Sequence, residues 1–324
     1  MKIGFFSENS FNGKVPRENA GRTDTSWMSA LDATHHPLSE VVHPSYDLGI
    51  IIVPKNNPQR AFTFLEENRD RCKVWATMQE ANQTYWQNGS VHEQIMYINF
   101  LHDCDMIFCH NDRDKKYYTG LIPGKRVEVL PSLMIEDSMP NTLTRAENRS
   151  GSMIGGNWTE WYSGQDSFFI AQELKEQVYA PSMGRKHFDE DNIEDIEYLP
   201  YMNWQQWMSE LSKRKYGVHL MRTYAAGTFA LNCARLGIPC IGWDFMDTQR
   251  LCFPELSFQE GDMVSARRAA AHLRDNRIFY DHCSAYAQKV YKDLFSEKMF
   301  LETFYSYFQS NYNKQPKQEI KNEI

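Results

Sequence analysis

The sequence lacks the short motifs that mark several large enzyme classes. It contains no Walker phosphate-binding loop, no G-x-S-x-G, no H-E-x-x-H and no C-x-x-C. The signatures of P-loop nucleotidases, α/β-hydrolases, zinc proteases and thiol oxidoreductases are therefore absent. There is no internal repeat, and no apolar run reaches the length that spans a membrane.

An excess of basic residues is also missing. The chain has 35 Lys and Arg against 42 Asp and Glu, a net charge of −7, which argues against a surface covered with phosphate-binding cations but leaves room for a local basic groove. Its seven cysteines show no metal-like spacing and several lie in apolar runs, which predicts reduced, buried thiols. The apolar N-terminal stretch is too short for a signal peptide. We therefore expect a cytoplasmic protein with no membrane anchor.

Strand and helix patterns alternate along the chain in two series. The first runs over residues 1–131, beginning with KIGFF, and the second over 151–295, beginning with SMIGG. Residues 132–150 show no clear helix or strand periodicity and are predicted to be a linker. Residues 296–324 are predicted to form a helix that crosses back to the first domain and ends in a frayed tail. Repeated βα units form parallel sheets. The predicted fold class is α/β, with two Rossmann-like parallel-sheet domains facing a cleft.

The loops that follow the strands should face this cleft, because ligands of such sheets bind outside the carboxyl ends of the strands. The loop RTYAAGT precedes a helical pattern, and its free N–H groups, with Gly227 for close approach, suit a phosphate. An ordinary helix capped by threonine is the alternative. Four further residues of this loop and helix are predicted to bind the same ligand as Gly227. They are Arg222, Thr223, Tyr224 and Thr228.

Two other loops of the second domain are candidates for the same ligand. Gly155, Gly156 and Trp158 follow a strand and suit close approach of a nucleotide or sugar, although no third glycine completes a dinucleotide fingerprint. Arg185 and Lys186 follow another strand and would either neutralise a pyrophosphate or remain solvated at the surface.

The first domain supplies candidate catalytic and acceptor-binding residues. Glu80 stands just past the strand KVWATM, where a general base would lie, with Tyr85 and Trp86 close by to stack on an acceptor; a helix-capping role is the alternative. In the loop GRTD, Asp24 is either a helix N-cap or a second catalytic carboxylate, and Arg22 and Thr23 are predicted to contact the acceptor. Neither domain is expected to hold a metal: His35, His36 and His43 are predicted at the surface, and the acidic run DEDNIEDIE is predicted to be solvated.

With these residues in view, the chain resembles GT-B-type glycosyltransferases that use nucleotide-sugar donors. The resemblance rests on the two-domain layout, the GRTD loop, the glycine pair after the linker and RTYAAGTFALNCARLGIPCIGWD. KVWATMQE and GGNW are also weakly similar to segments of phage DNA β-glucosyltransferases, and Glu80 falls where those enzymes carry their catalytic aspartate. The family's ribose-binding glutamate is replaced here by Leu231 or Asn232, of which Asn232 is the predicted donor contact.

The resemblance implies transfer of a sugar from a nucleotide-diphosphate sugar to an acceptor hydroxyl, with no cofactor and no metal. Glu80 as base would imply inversion, and retention is open if Glu80 is a structural cap. The acceptor would be a glycan, a small molecule or, as the second choice, a hydroxymethylated DNA base; no protein partner is evident. Two alternatives stay open: a non-catalytic nucleotide-sugar-binding protein and a nucleotide-sugar epimerase on the same fold.

Overall fold

The computed structural model describes residues 1–39, 45–54, 57–79, 89–156, 158, 161–181 and 192–309. The strands are β1 (Ile3–Ser7), β2 (Gly13–Lys14), β3 (Thr34–Pro37), β4 (Tyr46–Ile51), β5 (Cys72–Gln79), β6 (Met106–Cys109), β7 (Arg126–Val129), β8 (Ser152–Ile154), β9 (Val178–Ala180), β10 (Ile196–Tyr198), β11 (Tyr216–His219), β12 (Cys240–Trp243) and β13 (Ser257–Phe258). The helices are α1 (Thr23–Ala30), α2 (Pro58–Glu67), α3 (Val91–Asp103), α4 (Asp112–Leu121), α5 (Gly164–Gln172), α6 (Trp204–Ser212), α7 (Thr228–Leu236), α8 (Asp247–Cys252), α9 (Met263–Asp275), α10 (Arg277–Val290) and α11 (Glu297–Gln309).

The strands form two separate sheets. The first has the order β2-β3-β1-β4-β5-β6-β7 and the second the order β10-β9-β8-β11-β12-β13. Among the described residues, only the short pairing of β2 with β3 is antiparallel. The predicted fold class, two parallel α/β domains, is confirmed.

Burial explains why the central strands read as continuous apolar runs. Every residue of β1, β6, β11 and β12 is buried, as expected for strands covered by helices on both faces. In the second domain one large cluster joins β8, β11 and β12 to α7 and to the C-terminal helices. The first domain has an apolar cluster on each face of its sheet.

The C-terminal helix α11 packs on the first domain. Phe300 and Phe304 are buried in the cluster that contains Trp27 and Phe108, and the Tyr307 hydroxyl donates to the Val129 carbonyl oxygen at 2.6 Å. In its first turn, Glu297 accepts two hydrogen bonds from Arg17, at 2.9 and 2.8 Å. The chain therefore links its two sheets twice, once through residues 130–151 and once through α11.

Side chains also connect the domains near the carboxyl ends of the strands. Arg113 donates to the Asp244 carboxylate at 2.9 Å, and the Asp112 backbone N–H donates to Asp247 Oδ2 at 3.0 Å. These contacts join the start of α4 in the first domain to the loop after β12 and the first residue of α8 in the second. They hold the two sheets with their loop edges facing one another.

The expectations about the cysteines, the histidines and membrane spans can be compared with the fold. All seven cysteines are free and buried, as expected. The surface assignment of His35 and His36 is wrong: both lie in β3 and are buried, where His35 contacts the Ser7 hydroxyl and His36 the Tyr46 hydroxyl. His43 lies outside the described residues. No helix in the described ranges is long and apolar enough to cross a membrane.

Candidate functional site

A cavity of about 330 Å³ lies between the two domains, at the carboxyl ends of their strands. The first domain contributes the loop before α1 and its first turn, residues 21–24. The second domain contributes Gly155 after β8, the segment after β11 and the first turns of α7. This is the place where α/β sheets bind ligands.

The N-terminus of α7 opens into the cavity. Gly227 is the N-cap residue, with φ of 70°, and among the described residues no side chain accepts a hydrogen bond from the backbone N–H groups of residues 228–230. Within the helix the Leu231 N–H bonds to the Gly227 carbonyl oxygen at 3.1 Å, so the N–H groups of residues 228–230 precede the first intrahelical bond. With no partner for these three N–H groups among the described residues, and with the positive end of the helix dipole beside them, this end of α7 is a candidate position for an anion.

Glycine is required at position 227. Its φ is in the left-handed region, and an added Cβ would overlap the Thr248 hydroxyl, which donates to the Gly227 carbonyl oxygen at 2.9 Å. Threonine at the N-cap, the alternative considered from the sequence, is therefore excluded. Thr228 is instead the first residue of the helix.

The start of α1 faces the start of α7 across the cavity. The Thr23 and Thr228 hydroxyls lie 3.3 Å apart, and the Ser132 hydroxyl lies 3.4 Å from that of Thr228. The N-cap of α1 is Arg22, so Asp24 is not the cap; its Oδ1 accepts from the Thr25 N–H at 2.9 Å. Because α1 already carries a carboxylate in its first turn and α7 carries none, the open anion position is at α7.

Asn232 lies one turn further along α7 and lines the same cavity. With its amide oriented to satisfy both neighbours, it donates to the Thr228 carbonyl oxygen at 3.1 Å and accepts from Trp207 Nε1 at 2.9 Å. One amide hydrogen and one oxygen lone pair are left over. Leu231, the other residue at the position of the family's glutamate, is buried in the core cluster of the second domain.

Aromatic and apolar side chains form the wall of the cavity in the second domain. The Trp207 and Phe229 rings have centroids 6.2 Å apart, and the His219 ring lies between Phe229 and Tyr162, with centroid distances of 5.3 and 6.2 Å. Pro181 and Met202 extend this surface. Such a wall suits the flat face of a base or a sugar beside the anion position.

His219 is a buried polar residue within this wall. Its side chain is 4% exposed, and neither ring nitrogen has a hydrogen-bond partner among the residues that the structure describes. Burial lowers the pKa of His219 to about 4, so the imidazole is neutral at pH 7.

Solved structures share this arrangement of sheets and cleft. HepE from Anabaena, in complex with UDP and glucose, superimposes with a TM-score of 0.67 at 10% identity, over 96% of this chain and 100% of that one. A phage α-glucosyltransferase in complex with UDP and a 13-mer DNA containing an HMU base gives 0.61 at 13% identity, over 95% and 99%. Sucrose-phosphate synthase from Thermosynechococcus elongatus gives 0.60 at 11% identity, over 83% and 75%.

The chain has the GT-B fold. These neighbours are GT-B glycosyltransferases, and their similarity at such low identity is one of fold. No protein-family model and no curated protein sequence matches the chain.

The GT-B cleft brings together many of the residues predicted from the sequence. The predicted residues that line the cavity are Arg22, Thr23, Asp24, Gly155, Gly227, Thr228 and Asn232. Gly156 follows directly and lies against Tyr162, whose Cβ would be 2.7 Å from an added side-chain carbon.

Four other predicted donor residues are not among those that line the cavity. Arg222 pairs with Asp166 at 2.7 Å and with Glu260 at 3.4 Å. Tyr224 packs edge-on against Phe245, with ring centroids 4.9 Å apart. Two further residues are Trp158, whose indole N–H donates to the Tyr198 hydroxyl at 3.0 Å, and Thr223, which is buried. The charge of Arg222 is thus balanced by two acids outside the anion position.

Five predicted residues lie outside the described part of the chain: Glu80, Tyr85, Trp86, Arg185 and Lys186. The last described residue before Glu80 is Gln79, at the carboxyl end of β5, where it is buried and accepts from the Tyr97 hydroxyl at 2.5 Å. Within the described ranges, no group of three or more His, Cys, Asp or Glu side chains could hold a metal ion.

Sequence reasoning missed the wall of the cavity. His219 ends a strand that faces the cleft, and that position was the signal by which it could have been found. Trp207 and Phe229 gave no such signal, because aromatic residues in helical patterns are more often part of a core.

Proposed function

We propose that this protein is a glycosyltransferase that moves a sugar from a nucleotide-diphosphate sugar to an acceptor hydroxyl. The observation that carries the proposal is the uncapped N-terminus of α7, which opens into a cavity between two GT-B domains. UDP is the first nucleotide to test, since HepE and the phage α-glucosyltransferase were solved with it.

In the proposed complex, the diphosphate, ribose and base of the donor follow one another along the cavity. The diphosphate lies against the N–H groups of residues 228–230, and the remaining amide hydrogen and oxygen lone pair of Asn232 hydrogen-bond the ribose. The base lies on the apolar wall near Trp207 and Met202. Arg22 lines the cavity, and its side chain is 85% exposed with its Nε 3.8 Å from the Asp24 carboxylate, so it can turn toward the diphosphate.

Transfer breaks the bond between the anomeric carbon and the diphosphate oxygen while the acceptor oxygen bonds to that carbon. The diphosphate leaves with its negative charge stabilised by the α7 dipole and N–H groups, together with Arg22, Arg185 and Lys186, and no metal is needed. Glu80 takes the acceptor proton as general base, which gives inversion. Retention is the alternative, supported by the name of the phage α-glucosyltransferase, and Asp24 is then the described carboxylate that faces the donor.

The acceptor is a glycan or small molecule rather than duplex DNA. Four basic residues of the first domain that could contact a duplex are paired with carboxylates: Lys14 with Asp32, Arg17 with Asp137 and Glu297, Arg113 with Asp244, and Lys115 with Glu128. A hydroxymethylated base in DNA is the second candidate, because one neighbour was solved with DNA containing an HMU base.

The test is incubation with UDP-, GDP-, ADP- and TDP-sugars, with and without acceptor hydroxyls, while release of nucleoside diphosphate is measured. Acceptor-dependent release with one donor supports transfer. Tight donor binding without release would favour a binding protein, and interconversion of two sugars without release would favour an epimerase. Anomeric configuration of the product, read by NMR, separates inversion from retention.

A further inference from the structure

The two ring nitrogens of His219 are buried and have no hydrogen-bond partner among the described residues, and the residue lines the donor cavity. Most buried polar side-chain atoms in folded proteins are hydrogen-bonded, so an exception at a site calls for an explanation. Within the described chain no residue supplies a partner for either nitrogen, and the ring lines the cavity. A bound ligand would supply the missing hydrogen bond.

The packing around His219 fixes the ring in place. Gly155 leaves the space for it, since an added Cβ would lie 2.7 Å from His219 Cδ2. Tyr162 stacks on one side and Phe229 packs edge-on, with centroid distances of 6.2 and 5.3 Å. A ring held this way does not need to be ordered when a ligand binds, which favours binding.

His219 also lies next to the anion position. Phe229 is the second residue of α7, and its backbone N–H is one of the three that precede the first intrahelical bond. Arg222, the nearest basic residue in the chain after β11, is held by Asp166 and Glu260. The imidazole is thus placed to add a side-chain donor to the helix N–H groups.

We propose that His219 binds the donor by giving a ring N–H to a phosphoryl oxygen of its diphosphate. This rests on the proposed function. A neutral imidazole has one N–H donor and one acceptor nitrogen, so it can donate to phosphate without carrying a buried positive charge. His219 is a binding residue of the leaving group and takes no proton in the reaction.

The test compares the affinities of UDP and uridine for wild type and for His219→Phe, which keeps a ring against Gly155 but has no nitrogen. We expect UDP affinity to fall about tenfold or more, as for loss of one hydrogen bond to a charged group, with uridine affinity unchanged. Tyr216→Phe is the matched control, because Tyr216 is buried at the other end of the same strand and away from the cavity. It should bind UDP like wild type.

His219→Asn and His219→Gln restore an N–H near one ring nitrogen or the other, and one of them should recover part of the UDP affinity. If His219→Phe does not fold, the UDP affinities of His219→Asn and His219→Gln and the spectrum of the wild-type protein test the inference instead. In wild type labelled with ¹⁵N-histidine, the ring signals of His219 are identified as those absent from the spectrum of His219→Asn. Saturating UDP should shift these signals.

Equal UDP affinity in wild type and His219→Phe overturns the inference, and so do His219 ring signals that do not shift when UDP is added. An equal loss of UDP and uridine affinity also contradicts it, because it would assign His219 to the nucleoside. If none of UDP, GDP, ADP and TDP binds wild type, the proposed function itself is contradicted. If UDP binds wild type and His219→Phe equally well, only the role of His219 is contradicted.

Discussion

Replacing Gly227 by alanine tests the α7 N-terminus, and Gly261 provides a matched control. Both glycines have φ in the left-handed region, 70° and 85°. An added Cβ at Gly261 has no neighbour within 4 Å, whereas at Gly227 it overlaps the Thr248 hydroxyl. The two substitutions therefore share the same backbone strain and differ in the contact with Thr248.

The magnitudes follow from these two contributions. The left-handed conformation of a non-glycine residue costs about 1–2 kcal/mol, which is the whole loss expected for Gly261→Ala. In Gly227→Ala the Thr248 hydroxyl must also turn away and lose its 2.9 Å hydrogen bond, at a further cost of roughly 0.5–1.5 kcal/mol. We expect Gly227→Ala to lose roughly 2–3 kcal/mol of unfolding free energy, measured by urea denaturation. Its UDP affinity should fall at least ~10-fold while that of Gly261→Ala stays unchanged.

A double-mutant cycle with Thr248→Ala separates strain from overlap. Thr248→Ala alone removes the hydrogen bond, and in the double variant no hydroxyl remains for the methyl group introduced at position 227 to displace. We therefore expect the double variant to be about as stable as Gly227→Ala, so that the two single effects do not add. Full additivity, or equal loss of UDP affinity in Gly227→Ala and Gly261→Ala, would refute the reasoning.

Four further predictions follow from the site. Glu80→Gln should lower turnover at least ~100-fold with UDP affinity nearly unchanged, and wild-type turnover would reject Glu80 as base. A chelator should leave activity within about twofold; loss of activity restored by manganese would require a metal site. Duplex DNA, with or without hydroxymethylated bases, should bind no tighter than micromolar in gel shifts at low and moderate salt, and tight, steeply salt-dependent binding would make DNA the acceptor. Burial lowers the pKa of His110 and of His219 to about 4, so between pH 6.5 and 4 the unfolded chain takes up protons that the folded chain does not. As the pH is lowered through this range, the free energy of unfolding should therefore decrease by about 1.4 kcal/mol per pH unit for each histidine. Urea denaturation at pH 7 and 5 that shows no such decrease in wild type, or the same decrease in His110→Phe, would contradict this.

Strand and helix periodicity predicted most of the fold, because central strands buried on both faces and amphipathic helices leave a strong pattern. The run GVHLM and the turn before residue 228 predicted β11 and α7 almost to the residue. Strand β3 was missed, since THHP has no apolar alternation, and its two histidines are buried through hydrogen bonds to Ser7 and Tyr46 that adjacent strands supply. Residues of β3 find their partners far away in the chain, so no local pattern reveals them.

The candidate site was predictable where it depends on the backbone and less so where it depends on side chains. Gly227 and Thr228 could be predicted as site residues because a strand is followed there by the start of a helix, and both residues line the cavity. The direction of the Arg222 side chain depends on Asp166 and Glu260, which are distant in sequence and compete for its charge. His219 lies on an element that was predicted, but its lack of a partner is a property of the packed structure.

The central claim is that the diphosphate of a nucleotide sugar binds at the N-terminus of α7, and a crystal structure of the protein with UDP tests it most directly. The account predicts phosphoryl oxygens about 2.7–3.2 Å from the backbone nitrogens of residues 228–230, with the ribose near Asn232. UDP bound away from this helix end, or a cavity without nucleotide at saturating UDP, would contradict it.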